Sequence, residues 1–202
     1  VGLRSMFDDT SSGNQVWQLA ISLAAYTLLL ASTAIFIVRW GKVWEDARTV
    51  ALLSILMCLA LSVSFDVACN RRPDLARIVL MGGLLFSILI VKFLEYGLPI
   101  ALSWLYRIPL FVMLGLFFVF PIAVTSANWG LSTMAWRVLT FPLLCAGSIL
   151  LLLPAIRSGK EAVANNGSPW PWPYYPWSIF FFMLIGMIGR SYLLTISFQM
   201  DR

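Results

Sequence analysis

Residues 108–125 read IPLFVMLGLFFVFPIAVT, eighteen consecutive positions without a charge. A stretch of that length with no ionisable group reads as a helix that crosses a bilayer, whose hydrocarbon core needs about 20 helical residues. Pro109 suits a first helical turn, and Pro121 is expected to kink the far end.

Stretches of the same kind lie on both sides. Residues 17–38, 49–69 and 75–96 precede this one, and residues 133–153 and 175–198 follow it. The expected fold is therefore all-α: a polytopic transmembrane helix bundle of about six spans, five to seven being the range, with short loops. Residues 1–16 are polar and mixed and read as a flexible arm, 17–198 as a single transmembrane domain and 199–202 as a tail. Residues 98–107 carry the interface types Trp104, Tyr106 and Arg107, and suit a loop, an interfacial segment or a re-entrant one. Residues 155–173 are expected to form the longest loop. It runs into Pro169, Trp170, Pro171, Trp172 and Pro173, an alternation that favours a stiff extended strip.

The totals agree with a lipid-solvated chain. Hydrophobic residues make up 60% of the 202 positions and charged residues 11%, against about 25% charged in a typical soluble domain. All nine tryptophans fall at or near expected span ends, where an amphipathic ring sits at headgroup level. A net charge of +5 raises the question of nucleic acid. No basic run interleaves with exposed aromatics, so the lipid bilayer is the expected partner and nucleic acid is not. An integral, multi-pass location is expected, in a bacterial cytoplasmic membrane.

Chemistry is sparse. The chain has no histidine, which removes the commonest metal ligand and general base. Its three cysteines, Cys58, Cys69 and Cys145, show no paired spacing. No cofactor, metal or catalytic residue is assigned. The chain begins at Val1 and stops at Arg202, which fits a processed product or a piece of a longer protein. Orientation is nearly silent. Seven basic residues fall on the side reached after the first span (side B) and six on the amino-terminal side (side A).

What remains is the set of charges inside spans, each of which costs about 2.5–3.5 kcal/mol on insertion scales. Asp66, Arg137 and Arg190 all fall in the half nearer side A, on the second, fifth and sixth spans. Asp66 is expected to pair with Arg190, with Arg137 close by or reaching the surface. Three faces would meet there. The first is Ser54, Cys58, Ser62 and Asp66 at four-residue spacing; the second is Thr133, Arg137, Thr140, Leu144 and Gly147; the third is Ser178, Phe182, Gly186 and Arg190. Lys92 and Glu95, three apart near side B, form a secondary pair able to neutralise itself.

Two function classes follow. A non-enzymatic membrane subunit or scaffold, associating with other membrane subunits or with itself, suits the short loops and sparse chemistry. A small transporter or channel would use Asp66, Arg137 and Arg190 as a site for an anion or a lipid headgroup, since guanidinium forks match phosphate. An enzyme acting on lipid ranks last, because no serine or cysteine has a base at a recognisable spacing.

Overall fold

The computed structural model describes residues 13–65, 73–98, 102–125, 131–163 and 174–199. Within these ranges the side chains of 13–15, 45–48, 51, 73, 124–125, 131–138, 162–163, 174–175 and 194–199 are not described. Every regular element among the described residues is helical: α1 (Gly13–Phe36), α2 (Trp44–Val63), α3 (Pro73–Gly97), α4 (Trp104–Thr125), α5 (Leu131–Leu150), α6 (Leu153–Val163) and α7 (Tyr174–Gln199). The fold is an all-α helical bundle, and five of its stretches are long and apolar enough to cross a membrane.

The helices differ from the expected spans at informative places. α1 begins at Gly13, inside the expected arm, and runs on through a π-helical turn, Ile37–Gly41. Lys42 then takes a left-handed conformation, φ 54°, and α2 starts two residues later. α2 carries Glu45, Asp46 and Arg48 in its first turns, so its apolar part is confined to Leu52–Val63. It is the one expected span that falls short of membrane length among the described residues. α4 starts earlier than expected because the carbonyl of Ser103 accepts from the amides of Tyr106 and Arg107, at 3.0 and 2.9 Å. Trp104, Tyr106 and Arg107 therefore belong to a spanning helix, and Pro109 lies beyond its first turn. The expected long loop is shortened by α6. Pro154 is compatible with the first turn of a helix, where its missing amide would be unsatisfied anyway, so it begins one element as well as ending another.

The bundle keeps a mostly apolar interior, but its outer surface is apolar as well and a few polar side chains are buried. Ile21, Leu29, Leu85, Leu89, Leu143, Leu150 and Ile188 are exposed, while Thr27, Ser54, Ser62, Ser87, Ser148 and Arg190 are buried. That distribution is what lipid as solvent permits: tails are as apolar as leucine, so helices associate through close packing and interhelical hydrogen bonds rather than through exclusion of apolar surface from water.

α4 is the hub, packing against α2, α3, α5, α6 and α7. Tyr106, Leu110, Met113, Leu114, Phe117 and Phe118 give it an almost wholly buried face. Two glycines let neighbours close in. A Cβ on Gly83 would stand 2.7 Å from Leu61 Cδ2 and 2.8 Å from Phe118 Cε1; one on Gly186 would stand 2.9 Å from Leu59 Cδ1. Gly97 lies against Ile35 of α1 in the same way.

Candidate functional site

Two of the buried polar side chains, Ser62 and Arg190, meet at a break in α4. Proline at 121 has no amide hydrogen, so the carbonyl four residues earlier, that of Phe117, loses its helical partner. In hydrocarbon an unpartnered carbonyl costs several kcal/mol, and neighbouring helices have to satisfy it. Two do so. Ser62 Oγ of α2 donates to Phe117 O at 2.7 Å, and Arg190 Nη2 of α7 donates to the same oxygen at 3.5 Å. One backbone oxygen thus joins three helices, and Gly186 is what lets α7 approach α2 and α4 there.

Arg190 is 1% exposed, the largest fully buried side chain among the described residues. It makes a further interaction besides the one with Phe117. Of the two residues expected to cluster with it, Asp66 lies outside the described residues, and Arg137 is described only as a backbone position near the start of α5. α7, which carries Arg190, packs against α2, which carries Ser62, and against α5, which carries Arg137.

The three expected faces fare differently. Ser54, Cys58 and Ser62 are all buried, with Cys58 beside Ser87 of α3. On α7 the buried stripe is Phe180, Met183, Met187 and Arg190, while Ser178, Phe182 and Gly186 form its half-buried flank. On α5 the expected face is turned around: Thr140, Leu144 and Gly147 point outward. Phe141 and Ser148 point inward instead, Phe141 against Phe120 with ring centroids 4.8 Å apart and Ser148 Oγ 4.0 Å from Met187 Sδ. Small and weakly polar residues have no fixed preference for the interior when the outside is lipid, whereas a large ring gains by filling a gap between helices.

A second polar cluster closes the B end. Lys92 Nζ lies 2.8 Å from Glu95 Oε2, and Arg107 reaches Glu95 Oε1 through Nε at 3.3 Å and Nη2 at 3.1 Å. Glu95 therefore joins α3 to α4 as well as balancing its own helix. The two cations also face rings: Lys92 Nζ is 5.8 Å from the Phe111 centroid, and the Arg107 guanidinium 5.4 Å from that of Trp104. From α1, Arg39 donates to the carbonyls of Gly97 and Tyr96 at 3.1 and 3.4 Å. It covers acceptors that the end of α3 leaves open and sits at the negative pole of that helix.

Beside this cluster Trp177 packs inward against Tyr106 and Phe180, at 6.2 and 6.3 Å between centroids. It is half-buried in the bundle and not a pure interface anchor. The rest of the Pro-Trp strip, from Pro169 to Pro173, lies outside the described residues.

A groove of about 280 Å³ opens between α1 and α3, lined by Trp17, Ala20, Ala24, Ile78, Gly82 and Phe86 among others. Its walls are apolar, and it touches neither polar cluster. No protein-family model matches this chain, and no curated protein or solved structure does either. What the site can do is therefore argued from its own chemistry. Both clusters place cations on acceptors that belong to other helices, and such contacts hold helices in register.

Proposed function

We propose that this protein is a non-enzymatic multi-pass membrane subunit or scaffold, in keeping with the bacterial cytoplasmic membrane location expected from its sequence. Other membrane subunits or a second copy would be its partners. The observation that carries this reading is the shared Phe117 carbonyl, which accepts from Ser62 at 2.7 Å and Arg190 at 3.5 Å. Ser62 and Arg190, two of the buried polar side chains, tie α2, α4 and α7 together. A transport pathway would require a wet route to the guanidinium, and Arg190 is only 1% exposed.

Asp66 is proposed as the counterion of Arg190. A buried guanidinium in hydrocarbon demands compensating negative charge, which a neutral carbonyl supplies only in part. Asp66 follows Ser62 by four positions in the sequence, and Ser62 reaches the same oxygen that Arg190 does. Arg137 is proposed to lie near them, since its helix adjoins α7.

The test is a double-mutant cycle on Asp66→Asn and Arg190→Gln, read as unfolding free energy in mixed detergent micelles. Each single change leaves one charge stranded and is expected to cost about 3–5 kcal/mol, with much of that recovered in the pair. Additive losses would sink the ion pair. Flux of phosphate or chloride through proteoliposomes above that of empty vesicles would overturn the scaffold reading in favour of the transporter.

A further inference from the structure

The short helix α6 carries an arrangement that the bundle itself does not use. Its inner face rests on α4: Leu152, Ala155 and Gly159 are buried, and Tyr106 Oη lies 3.5 Å from the Ala155 carbonyl. Its outer flank is Leu153, Ile156, Arg157 and Lys160, all exposed. Those positions follow the spacing i, i+3, i+4, i+7 and so share one side of the helix.

The order along the axis matters. α6 continues from α5 through a turn of i to i+3 hydrogen bonds, Leu151 N to Ser148 O at 3.2 Å and Leu152 N to Ile149 O at 2.9 Å. It therefore leaves the apolar part of the bundle at the B end. Leu153 comes first on the flank and Arg157 four residues later, about 6 Å further along a helix. That rise is comparable to the layer, roughly 5–8 Å deep on each side, that separates hydrocarbon from bulk water. Trp40 and Trp104, ring types that favour the headgroup level, are exposed at the B-side ends of α1 and α4.

Three of the other described cations at the B end are engaged, whereas Lys42, like Arg157 and Lys160, is exposed with no ion pair among the described residues. Lys92 and Arg107 share Glu95, and Arg39 is taken up by two carbonyls. Arg157 and Lys160 have no acid within ion-pair distance among the described residues; the ion pairs there are Arg77–Asp74, Lys92–Glu95 and Arg107–Glu95. Glu161 is exposed and forms no bridge with Arg157 within that set. The result is an apolar wedge followed by two uncommitted positive charges at the membrane boundary.

We infer that the outer flank of α6 is a docking surface for anionic phospholipid, with Leu153 and Ile156 in the acyl region and Arg157 and Lys160 on headgroup phosphates. Charge complementarity selects an anionic headgroup. The apolar-to-basic order selects a bilayer leaflet over an acidic soluble protein, which would have no use for a depth gradient. Basic residues next to a spanning segment are attracted to an anionic surface. The bilayer would thereby also fix where α5 ends and α6 begins.

The experiment uses the full chain reconstituted in phosphatidylcholine bilayers, with spin-labelled phosphatidylglycerol and phosphatidylcholine compared at the protein boundary by electron spin resonance. Phosphatidylglycerol is expected to be preferred several-fold at low salt. The preference should fall toward unity near 1 M salt, where the screening length is about 3 Å. Arg157→Gln with Lys160→Gln should remove most of it, while Arg157→Lys with Lys160→Arg, which keeps both charges, should retain it. Arg77→Gln, at the opposite end and already paired with Asp74, should leave it unchanged. No preference at low salt in the unmodified chain, or a preference that survives the double glutamine change, overturns the inference.

Discussion

Ser62 Oγ donates a 2.7 Å hydrogen bond to the carbonyl of Phe117, the oxygen that Pro121 leaves without a helical partner. The bond crosses from α2 to α4, so a side chain on one helix repairs a defect in another. Interhelical hydrogen bonds in bilayers average about 0.6 kcal/mol and reach about 1.7. Ser62→Ala is expected near the upper part of that range, because the acceptor has no amide to return to. In a Pro121→Ala background the restored amide competes for Phe117 O, and the effect of Ser62→Ala should shrink to a few tenths. Unfolding titrations with dodecyl sulfate in mixed micelles measure all four corners of the cycle. Equal effects of Ser62→Ala in both backgrounds would show that the proline and the hydroxyl are unrelated.

Glycines separate into two groups that a single alanine scan distinguishes. Gly83→Ala places a methyl 2.7 Å from Leu61 Cδ2 and 2.8 Å from Phe118 Cε1, and Gly186→Ala places one 2.9 Å from Leu59 Cδ1 and 3.2 Å from Phe117 Cζ. Overpacking of this kind costs about 1–3 kcal/mol. At Gly147 and Gly189 an added methyl would meet nothing within 4 Å. Alanine there removes helix-weakening freedom and should be neutral or stabilising by up to about 1 kcal/mol. The same unfolding assay ranks the four variants, and destabilisation at Gly147 equal to that at Gly83 would contradict the packing described.

The division between legible and hidden features has a physical cause. The number of charges and the length of apolar runs were enough to read an all-α membrane bundle, since no other solvent suits IPLFVMLGLFFVFPIAVT. The inward face of α2 was legible too, because serines and a cysteine at four-residue spacing stand out against leucine and alanine. The inward face of α5 was not. Its outer and inner residues are similarly apolar, and lipid removes the polar-outside signal that marks a soluble helix. α6 was hidden because residues 155–173 read as one long loop, although Pro154 suits the first turn of a helix. The acceptors of Arg39, at Tyr96 and Gly97, lie 57 and 58 positions away, beyond any local pattern. Phe117 carried no side-chain signal for its role, yet Pro121 did: a proline deep in a span names the carbonyl four residues earlier as one needing a donor.

Glu95 should couple more strongly to Arg107 than to Lys92. Its side chain is 16% exposed, that of Arg107 24% and that of Lys92 47%, so water and ions screen the lysine contact more. Arg107 also presents two nitrogens to one oxygen, at 3.3 and 3.1 Å. Double-mutant cycles with Glu95→Gln, Arg107→Gln and Lys92→Gln are expected to give about 1 kcal/mol for the arginine pair and a few tenths for the lysine pair. Raising salt should diminish the lysine coupling first. A larger coupling to Lys92 would mean that the bridge within α3, rather than the one from α3 to α4, holds the B end.

Tyr106 offers a sharper test of how that end is held, because its ring and its hydroxyl have unequal roles. The ring is fully buried and packs on Phe180 at 5.9 Å and on Trp177 at 6.2 Å between centroids, joining α4 to the start of α7. The hydroxyl reaches the Ala155 carbonyl only at 3.5 Å, a length at which a hydrogen bond contributes little. Tyr106→Phe should therefore cost well under about 1 kcal/mol, whereas Tyr106→Ala should cost about 3–5 kcal/mol as an aromatic cavity opens. Tyr106→Leu, which refills part of the space but forfeits both ring contacts, should fall between them. Tryptophan fluorescence of a chain that keeps Trp177 as its sole indole would follow the same order, with the emission of Trp177 shifting most in the alanine variant. A phenylalanine variant as damaged as the alanine one would move the weight from ring packing to the hydroxyl and make α6, not α7, the element that Tyr106 secures.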